Sequence, residues 1–230
     1  MARLQTKEKM QVTILMPCLN EEKSLAHCII KAKKFLIKNN IEGEILVIDN
    51  GSTDNSRNIA LELGARVVLE TAKGYGNALR RGIREAKGDY IIMGDSDGSY
   101  DFECLMPFIK ELNDGFDFVC GNRFSGGIEK GAMPFSHKLG VPMLSAIAKA
   151  KYKVPVNDFH CGLRAFKSNL AKSMIFSSTG MEFATELIGK FKSYKMTEVP
   201  IILHRDLRVG RPHLRTIRDG LRHLNYILFT

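Results

Sequence analysis

The chain of 230 residues is 44% hydrophobic, carries a formal net charge of +9 and contains five cysteines. This length can bury one substantial core, and no Pro/Gly/Ser-rich linker or repeat divides it, so we expect one main domain. The cysteines form no C-x-x-C pair, which argues against a zinc site and is typical of a reducing compartment. The polar residues 1–10 lack the apolar segment of a secretory signal, and no run reaches the roughly 18 apolar residues of a spanning helix.

Short apolar runs alternate with longer amphipathic stretches through the first half of the chain. The patterns predict strands over 12–16, 44–48, 66–69, 90–93 and 117–120. Between them they predict helices over 22–38, 54–63, 76–86 and 103–113. This rhythm indicates an α/β fold with a mostly parallel central sheet and helices on both faces.

The alternation is less regular after Gly121. We predict a long loop over 122–135, a helix over 137–151, a strand over 163–166, a helix over 181–191 and a strand over 198–203. A loop of this length inside a compact domain is commonly a lid or a binding loop.

Two carboxylates, Asp95 and Asp97, directly follow the fourth predicted strand. Such a pair can bind a hard divalent cation and leave coordination positions free for substrate phosphates. The alternative is a solvated turn, because Asp, Ser and Gly all favour turns. A calcium loop is excluded, since Tyr100 occupies the required glycine position and Met106 the position of the bidentate glutamate.

Polar residues also follow the other predicted strands, with Pro17 and Glu21 after the first and Asp49 after the second. In open α/β sheets the ligand crevice lies outside the carboxyl ends of the strands, so these residues should meet at one edge. The convergence favours a metal-dependent enzyme with a phosphate substrate over a solvated turn. A dinucleotide fingerprint beginning at Gly74 is rejected, because Leu79 stands where the third glycine belongs.

Six ordered motifs lie between residues 12 and 224. They are Pro17-Cys18-Leu19-Asn20-Glu21-Glu22, Val47-Ile48-Asp49-Asn50-Gly51-Ser52-Thr53-Asp54, Gly94-Asp95-Ser96-Asp97, Gly121-Asn122-Arg123, Asp158-x-x-Cys161-Gly162-x-Arg164 and Glu198-Val199-Pro200-Ile201. Together they resemble family 2 glycosyltransferases of the GT-A fold, a Rossmann-like nucleotide-sugar transferase fold. The resemblance is greatest to polyprenyl-phosphate (dolichol-phosphate type) hexose synthases, whereas the Q-x-x-R-W motif of processive polymer synthases has no counterpart in a chain without Trp.

The resemblance implies a donor site for a nucleotide sugar. Its expected residues are Pro17, Leu19, Glu21, Asp49, Gly74, Asp95 and Ser96. Asp95 and Asp97 are expected to bind Mg²⁺ or Mn²⁺, which bridges the donor diphosphate. Carboxylates such as Glu21 and Asp49 can accept from ribose hydroxyls and base N–H groups, with helix capping as their alternative role.

The resemblance also implies a polyprenyl phosphate acceptor and inverting transfer of a hexose, from UDP-glucose or GDP-mannose, to give a lipid-linked phosphosugar. The expected catalytic residues are Asp97, Asp158 and Arg123, and the expected ligands of the acceptor phosphate are Arg123, Lys138, Arg164 and Arg205. His137 is a further candidate, and surface cations are the alternative for each of these side chains. Asp158 matches a position proposed as a base, although an ionised acceptor phosphate leaves it equally free to orient Arg164 or the sugar.

The basic excess is concentrated near the C-terminus, with Arg211, Arg215, Arg218 and Arg222 at helical spacing. An adjacent apolar stripe consists of Leu214, Ile217, Leu221, Leu224 and Leu228. We expect an extension over 1–10, a catalytic domain over 11–204 and a basic amphipathic helix over 205–230. Such a helix can bind the membrane surface, here the cytoplasmic face, or can pack its apolar stripe on the domain. Bacterial members of the resembled subgroup usually continue into membrane-spanning helices, so the natural chain is expected to be longer or peripheral.

Three other functions compete with this interpretation. A glycosyltransferase with a soluble or protein-bound acceptor would need Asp158 as a general base. A sugar-1-phosphate nucleotidyltransferase usually has a glycine-rich basic loop after its first strand, which residues 17–22 do not resemble. A nucleic-acid-binding module is suggested by net charge alone, and its recognition motifs are absent, so we expect no nucleic-acid partner.

Overall fold

The fold is organised around a seven-stranded sheet in a computed structural model that describes residues 11–208 and 216–229. The strands are β1 (Gln11–Cys18), β2 (Glu42–Asp49), β3 (Arg66–Leu69), β4 (Tyr90–Met93), β5 (Phe118–Asn122), β6 (Arg164–Lys167) and β7 (Met196–Pro200). Their order is β3-β2-β1-β4-β6-β5-β7. All neighbouring pairs are parallel except the two that contain β6, which runs antiparallel to β4 and β5. The predicted mostly parallel α/β sheet is therefore confirmed.

The helices connect these strands. They are α1 (Leu25–Lys38), α2 (Ser56–Glu62), α3 (Tyr75–Glu85), α4 (Met106–Asn113), α5 (Arg123–Gly126), α6 (Phe135–Tyr152), α7 (Ser168–Ser173), α8 (Phe183–Lys190) and α9 (Thr216–Phe229). Among the described helices, none combines the length and apolar character needed to cross a membrane.

Most predicted elements are present, and the differences have local causes. The helix predicted from residue 22 begins at Leu25, because the Glu21 carbonyl accepts the Ser24 and Leu25 amides in a preceding turn. The prediction of an uninterrupted loop over 122–135 is wrong, because the side chain of Asn122 accepts the amides of Phe124 and Ser125 and caps α5. Helix α7 was not predicted. The strand predicted over 198–203 lies instead over Met196–Pro200, because its pairing with β5 ends at Pro200.

The core lies on both faces of the sheet. Central strand β1 buries consecutive residues such as Ile14, Leu15 and Met16, as expected for a parallel strand covered on both sides. Helix α3 packs against β1 and β2, and a Cβ atom added at its Gly82 would collide with the side chain of Leu15. The absence of a side chain at Gly82 thus allows the close approach of helix and sheet.

The topology also decides where polar residues meet. Strands β2, β1 and β4 are adjacent and parallel, so their carboxyl ends form one continuous edge. Asp49 is the last residue of β2, and the loops that follow β1 and β4 carry Glu21 and Asp95. The predicted convergence of polar residues at one edge of the sheet is thus confirmed for these three residues.

Candidate active site

Asp95 and Asp97 lie immediately beyond β4 and are fixed by neighbouring groups. The hydroxyl of Tyr75 donates to Oδ1 of Asp95 at 2.9 Å. Oδ1 of Asp97 accepts both the amide (2.9 Å) and the hydroxyl (2.5 Å) of Ser99, and only 8% of Asp97 is exposed. Between them, the hydroxyl of Ser96 donates to the carbonyl of Pro17 at 2.7 Å and ties this turn to β1. Both carboxylates are therefore held in place by the loop and its surroundings.

A third carboxylate, Glu21, belongs to the same cluster. Arg208 contacts both Glu21 and Asp97, which places these two carboxylates on either side of one guanidinium. Burial raises the pKa of Glu21 to about 7 against the opposing effect of Arg208, and Asp97 and Asp95 add to the increase. Burial, followed by the charge of Asp97, raises the pKa of Asp95 to about 6. Burial disfavours the charged form of both carboxylates, and a cation bound beside them would offset this cost.

The two aspartates fit a hard divalent cation that also binds substrate. Within the described residues, no group of three or more His, Cys, Asp or Glu side chains is arranged to hold a metal ion by itself. Mg²⁺ is commonly bound by one or two carboxylates together with substrate phosphates and water, and Asp95 and Asp97 provide oxygen ligands of this kind. The backbone of Gly162 forms a cradle against Oδ2 of Asp95, because an added Cβ atom there would collide with that oxygen.

The expected nucleotide residues occupy the neighbouring part of the edge. Asp49 is 3% exposed, and its Oδ1 accepts the amide of Ser52 at 2.8 Å, so it orders the turn after β2. Asn50 accepts the amide of Gly74 at 2.7 Å and thereby fixes the start of α3 beside this turn. Leu19 follows β1 and is half-buried. The structure therefore brings the predicted donor residues of β1, β2 and α3 to adjacent positions.

Arg123 and Asp158 form a buried ion pair. The side chain of Asp158 accepts from Nε (2.7 Å), Nη2 (2.8 Å) and the backbone amide (3.2 Å) of Arg123. Asp158 is fully buried, and 8% of Arg123 is exposed. The charge of Arg123 also acts on the Asp95 carboxyl, so this pair lies within electrostatic reach of the two-aspartate site. Asp158 therefore orients Arg123, whereas an interaction with Arg164 was one of the expected alternatives.

The other predicted cations differ in their positions. Arg164 is fully buried and donates to the backbone carbonyls of Cys161, Phe159 and Ala184 at 2.6–2.8 Å. This places Arg164 inside the fold as a structural residue, whose guanidinium is already used by backbone carbonyls. Lys138 is exposed on α6, and Nε of Arg205 donates to the carbonyl of Lys130.

His137 lies near the buried ion pair. Burial, followed by the charge of Arg123, lowers the pKa of His137. A neutral imidazole at neutral pH makes His137 a weaker candidate than Arg123 for holding an anionic acceptor.

Four residues that shape the site were not predicted as site residues: Tyr75, Gly162, Glu198 and Arg208. The carboxylate of Glu198 accepts the amides of Asn157 (2.6 Å) and Asp158 (2.9 Å), so it holds the loop that carries Asp158. Gly162 and Glu198 lie in two of the six motifs, which was a usable signal. Tyr75 and Arg208 lie outside those motifs, and only the folded chain brings them to the aspartates.

The cradle at Gly162 leads to a prediction about stability. Replacing Gly162 by Ala should lower the free energy of unfolding by about 1–3 kcal/mol, because the new methyl group overpacks against Asp95 and the ring of Tyr100. Gly140→Ala in α6 is the control, since its Cβ would meet no described atom within 4 Å and should stabilise the helix by about 0.5–1 kcal/mol. Urea unfolding measures both changes. Equal stability of Gly162→Ala and the wild type would contradict this close packing.

Comparisons with known proteins identify the family and the fold. The chain is 39% identical over 221 residues to the low-salt glycan biosynthesis hexosyltransferase Agl6 of Haloferax volcanii, a match that covers 94% of the chain and 53% of Agl6. The chain thus spans about half the length of this relative. It is 27% identical to the dolichyl-phosphate hexose transferase of the same organism, with 83% of the chain and 81% of the relative covered.

The fold is shared with a solved structure from Mycobacterium tuberculosis. This is glucosyl-3-phosphoglycerate synthase in complex with Mn²⁺, UDP and phosphoglyceric acid, which superposes with a TM-score of 0.72 at 22% identity. The match covers 95% of the chain and 78% of the solved structure and confirms the GT-A fold. Residues 13–171 match the model of glycosyl transferase family 2. The matched region runs from β1 into α7 and contains Asp95 and Asp97. The chain therefore belongs to glycosyl transferase family 2.

Proposed function

We propose that the protein transfers a hexose from a nucleotide sugar to a polyprenyl phosphate, with inversion at the anomeric carbon, and that it uses Mg²⁺ or Mn²⁺. The observation that carries the proposal is that two fixed aspartates and a buried arginine follow β4 and β5, which both pair with Arg164 of β6 near their carboxyl ends. The aspartates suit a metal–diphosphate donor, and the arginine suits an anionic acceptor. UDP-glucose and GDP-mannose are the two donor candidates.

The donor half of the site requires stabilisation of a leaving group. A divalent cation bound by Asp95 and Asp97 would neutralise the charge that develops on the departing nucleoside diphosphate. Tyr75 and Ser99 keep the two carboxylates oriented by the hydrogen bonds described above. Glu21 and Asp49 are the proposed contacts of the base and ribose, together with Pro17, Leu19, Gly74 and Ser96.

The acceptor half of the site has little need for a general base. A phosphate monoester has its second pKa near 6, so its attacking oxygen is largely ionised at neutral pH, as about 90% dianion at pH 7. Asp158 already accepts from three donors of Arg123, which favours a role in orienting this arginine over a role as a base. Arg123, Lys138 and Arg205 are the proposed cations for the acceptor phosphate.

A soluble acceptor is the second candidate, because the solved structure of the same fold binds phosphoglyceric acid. The dolichyl-phosphate hexose transferase of Haloferax volcanii supports the lipid acceptor, because the match covers 81% of that relative. An acceptor panel with a polyprenyl phosphate and phosphoglyceric acid separates the two. We expect sugar transfer to the lipid phosphate alone, and transfer to phosphoglyceric acid alone would favour the second candidate.

The configuration of the product tests the mechanism. Attack by a phosphate oxygen opposite the departing diphosphate should convert an α-linked nucleotide sugar into a β-linked lipid phosphosugar in one displacement. Proton NMR of the purified product measures the anomeric configuration. An α-linked product would exclude a single displacement.

A membrane-surface position for this enzyme is supported by an apolar stripe on α6. Phe135, Leu139 and Met143 follow one another at four-residue spacing and are 75%, 63% and 62% exposed. Exposed Lys138 and Lys149 lie on the same helix and can meet anionic lipid. A helix with one apolar side and flanking cations can lie in the plane of a membrane interface.

The C-terminal helix packs beside α6. Helix α9 packs against α6 and α8, with Ile227 buried and Arg222 paired with Glu182 at 2.7 Å. Leu221 and Leu228 of the predicted apolar stripe remain exposed. Arg211 and Arg215 lie outside the described residues, as does Leu214, and the predicted boundary between residues 204 and 205 remains a prediction.

Binding to vesicles should depend on the α6 stripe. The double variant Leu139→Asp/Met143→Asp should bind anionic phospholipid vesicles about tenfold more weakly or worse, because each buried apolar side chain contributes about 1.5–3 kcal/mol. Ile37→Asp on α1 is the control, since Ile37 is also highly exposed on a helix and lies far along the chain from α6 and α9. Vesicle co-sedimentation measures binding. Unchanged binding of the double variant, or an equal loss in the control, would contradict attachment through α6.

A further inference from the structure

Arg208 lies at the centre of the acidic cluster. Its Nη2 is 2.9 Å from Oδ2 of Asp97 and 3.2 Å from Oδ2 of Asp206, and its Nη1 is 3.4 Å from Oε1 of Glu21. The Nε atom is buried and has no hydrogen-bond partner among residues 11–208 and 216–229. One guanidinium therefore spans two carboxylates from the loops that follow two different strands, β1 and β4.

The segment that carries Arg208 crosses directly over the two-aspartate turn. We call residues 204–208 the strap. The amide of His204 donates to the carbonyl of Ser99 at 3.0 Å, and the amide of Leu207 donates to the carbonyl of Asp97 at 2.8 Å. The side chain of Leu207 fills the space above Gly98, where an added Cβ atom would collide with it. These contacts hold the guanidinium of Arg208 against Asp97.

The strap is also held at its other end. Nδ1 of His204 is 2.7 Å from Oε1 of Glu129, and the amide of Arg205 donates to Oε2 of the same glutamate at 3.2 Å. Both interactions lie at the surface of the protein. The strap thus has a fixed start at Glu129 and reaches the acidic cluster at Arg208.

The two oxygens of Asp97 are used differently. Oδ1 accepts two hydrogen bonds from Ser99, within its own turn. Oδ2 accepts from Arg208, which belongs to the strap. A metal ion at Asp97 would need Oδ2, because Oδ1 is committed to the turn that shapes the site. The guanidinium and the metal ion therefore compete for the same oxygen.

We propose that Arg208 takes the place of the divalent cation in the metal-free protein, and that the metal enters by displacing its guanidinium from Oδ2 of Asp97. This inference rests on the proposed function, since it assumes a metal ion at Asp95 and Asp97. Arg208 is then a positioning residue. Its positive charge offsets the repulsion between the Glu21 and Asp97 carboxylates until the donor and the metal ion bind. Metal binding is then coupled to the position of the strap.

Removing the guanidinium should increase the affinity for the metal. We expect Arg208→Ala and Arg208→Gln to bind Mn²⁺, without nucleotide, about fivefold more tightly or better than the wild type, because a partly buried competing charge is gone. Isothermal titration calorimetry measures the affinity for Mn²⁺. Electron paramagnetic resonance measures the concentration of free Mn²⁺ in parallel. Two variants are used so that the test does not depend on the folding of either one, and circular dichroism checks both.

Two controls separate the possible causes. Arg84→Ala removes the same charge from an exposed position on α3, and its affinity for Mn²⁺ should equal that of the wild type. Asp97→Asn should lose Mn²⁺ binding both alone and when combined with Arg208→Ala. An equal gain in Arg84→Ala would be an effect of net charge and would overturn the exchange.

The outcomes distinguish this inference from the proposed function. If wild type and both Arg208 variants bind Mn²⁺ equally, and Asp97→Asn does not bind it, the metal site stands and the exchange is wrong. If the Arg208 variants bind Mn²⁺ more weakly, Arg208 supports the metal site and does not compete for it. If none of the proteins binds Mn²⁺, with or without UDP, both the exchange and the proposed metal site are wrong.

Discussion

Asp97→Asn should reduce sugar transfer by about 1,000-fold or more, because a metal ion contributes several kcal/mol of charge stabilisation and each 1.36 kcal/mol is worth tenfold in rate. The substitution keeps the size of the side chain and one oxygen that can accept from Ser99. It replaces the oxygen that faces Arg208 by an NH2 group, which is a hydrogen-bond donor and cannot bind a cation. The loss should appear in kcat/KM measured with saturating Mn²⁺.

A neighbouring aspartate provides the control. Asp101 lies four residues further along the same loop and pairs with Lys31 at 3.0 Å, and each side chain is 27% exposed. Asp101→Asn should keep transfer within about twofold of the wild type, because an ion pair that water reaches contributes about 1 kcal/mol or less. Comparable activity of Asp97→Asn and the wild type would show that the reaction does not use this carboxylate.

Asp158→Ala should lower the free energy of unfolding by about 3–5 kcal/mol, because it leaves the charge of Arg123 buried without its partner. The variant also loses the hydrogen bonds that orient the guanidinium and its backbone amide. Sugar transfer should fall as well, because Arg123 would no longer be held in position. Urea denaturation monitored by circular dichroism gives the stability.

An exposed ion pair is the matched control for this change. Glu103 lies 3.7 Å from Lys34, and both side chains are largely exposed. Glu103→Ala should therefore change stability by about 1 kcal/mol or less. If Asp158→Ala were equally mild, the Arg123–Asp158 pair would be a minor contact and would not explain how Arg123 is positioned.

The sheet and its functional edge could be predicted because the signals are local. Apolar runs such as 12–16 and 90–93 are long enough to identify buried strands, and parallel strands place their carboxyl ends together. The position of parallel strand ends alone therefore predicts that Asp95, Asp97, Glu21 and Asp49 lie at one edge of the sheet. The same rule says nothing about strand order, so the antiparallel insertion of β6 between β4 and β5 was not predicted.

The remaining site depends on contacts between residues that are distant in sequence. Arg208 reaches Asp97 across 111 positions of the chain, and Arg123 meets Asp158 across 35. The sequence analysis named Arg123 and Arg164 as candidate ligands of the acceptor phosphate and did not select Arg208. Their contacts in the folded chain distinguish them, because Arg164 donates to backbone carbonyls, Arg123 pairs with Asp158 and Arg208 lies beside the acidic cluster.

Helix α9 shows the same limit for amphipathic patterns. Its leucines and arginines predicted an interfacial helix, with packing on the domain as the alternative. Ile227 and His223 face α6 and α8, where Thr185 lies 2.9 Å from the ring of His223. Leu221 and Leu228 stay exposed on the same helix. One helix can thus pack with one side and expose apolar residues on another, which a pattern of hydrophobic spacing does not resolve.

The most direct test of the proposed function is the transfer of radiolabelled sugar to a polyprenyl phosphate. UDP-glucose and GDP-mannose are tested in parallel in detergent, each with Mn²⁺, Mg²⁺ or EDTA, and the lipid is recovered by organic extraction. We predict labelled lipid from one of the two donors, only when the metal is present. Donor binding without labelled lipid under any of these conditions would contradict a polyprenyl phosphate acceptor, and equal transfer in EDTA would contradict the role given to Asp95 and Asp97.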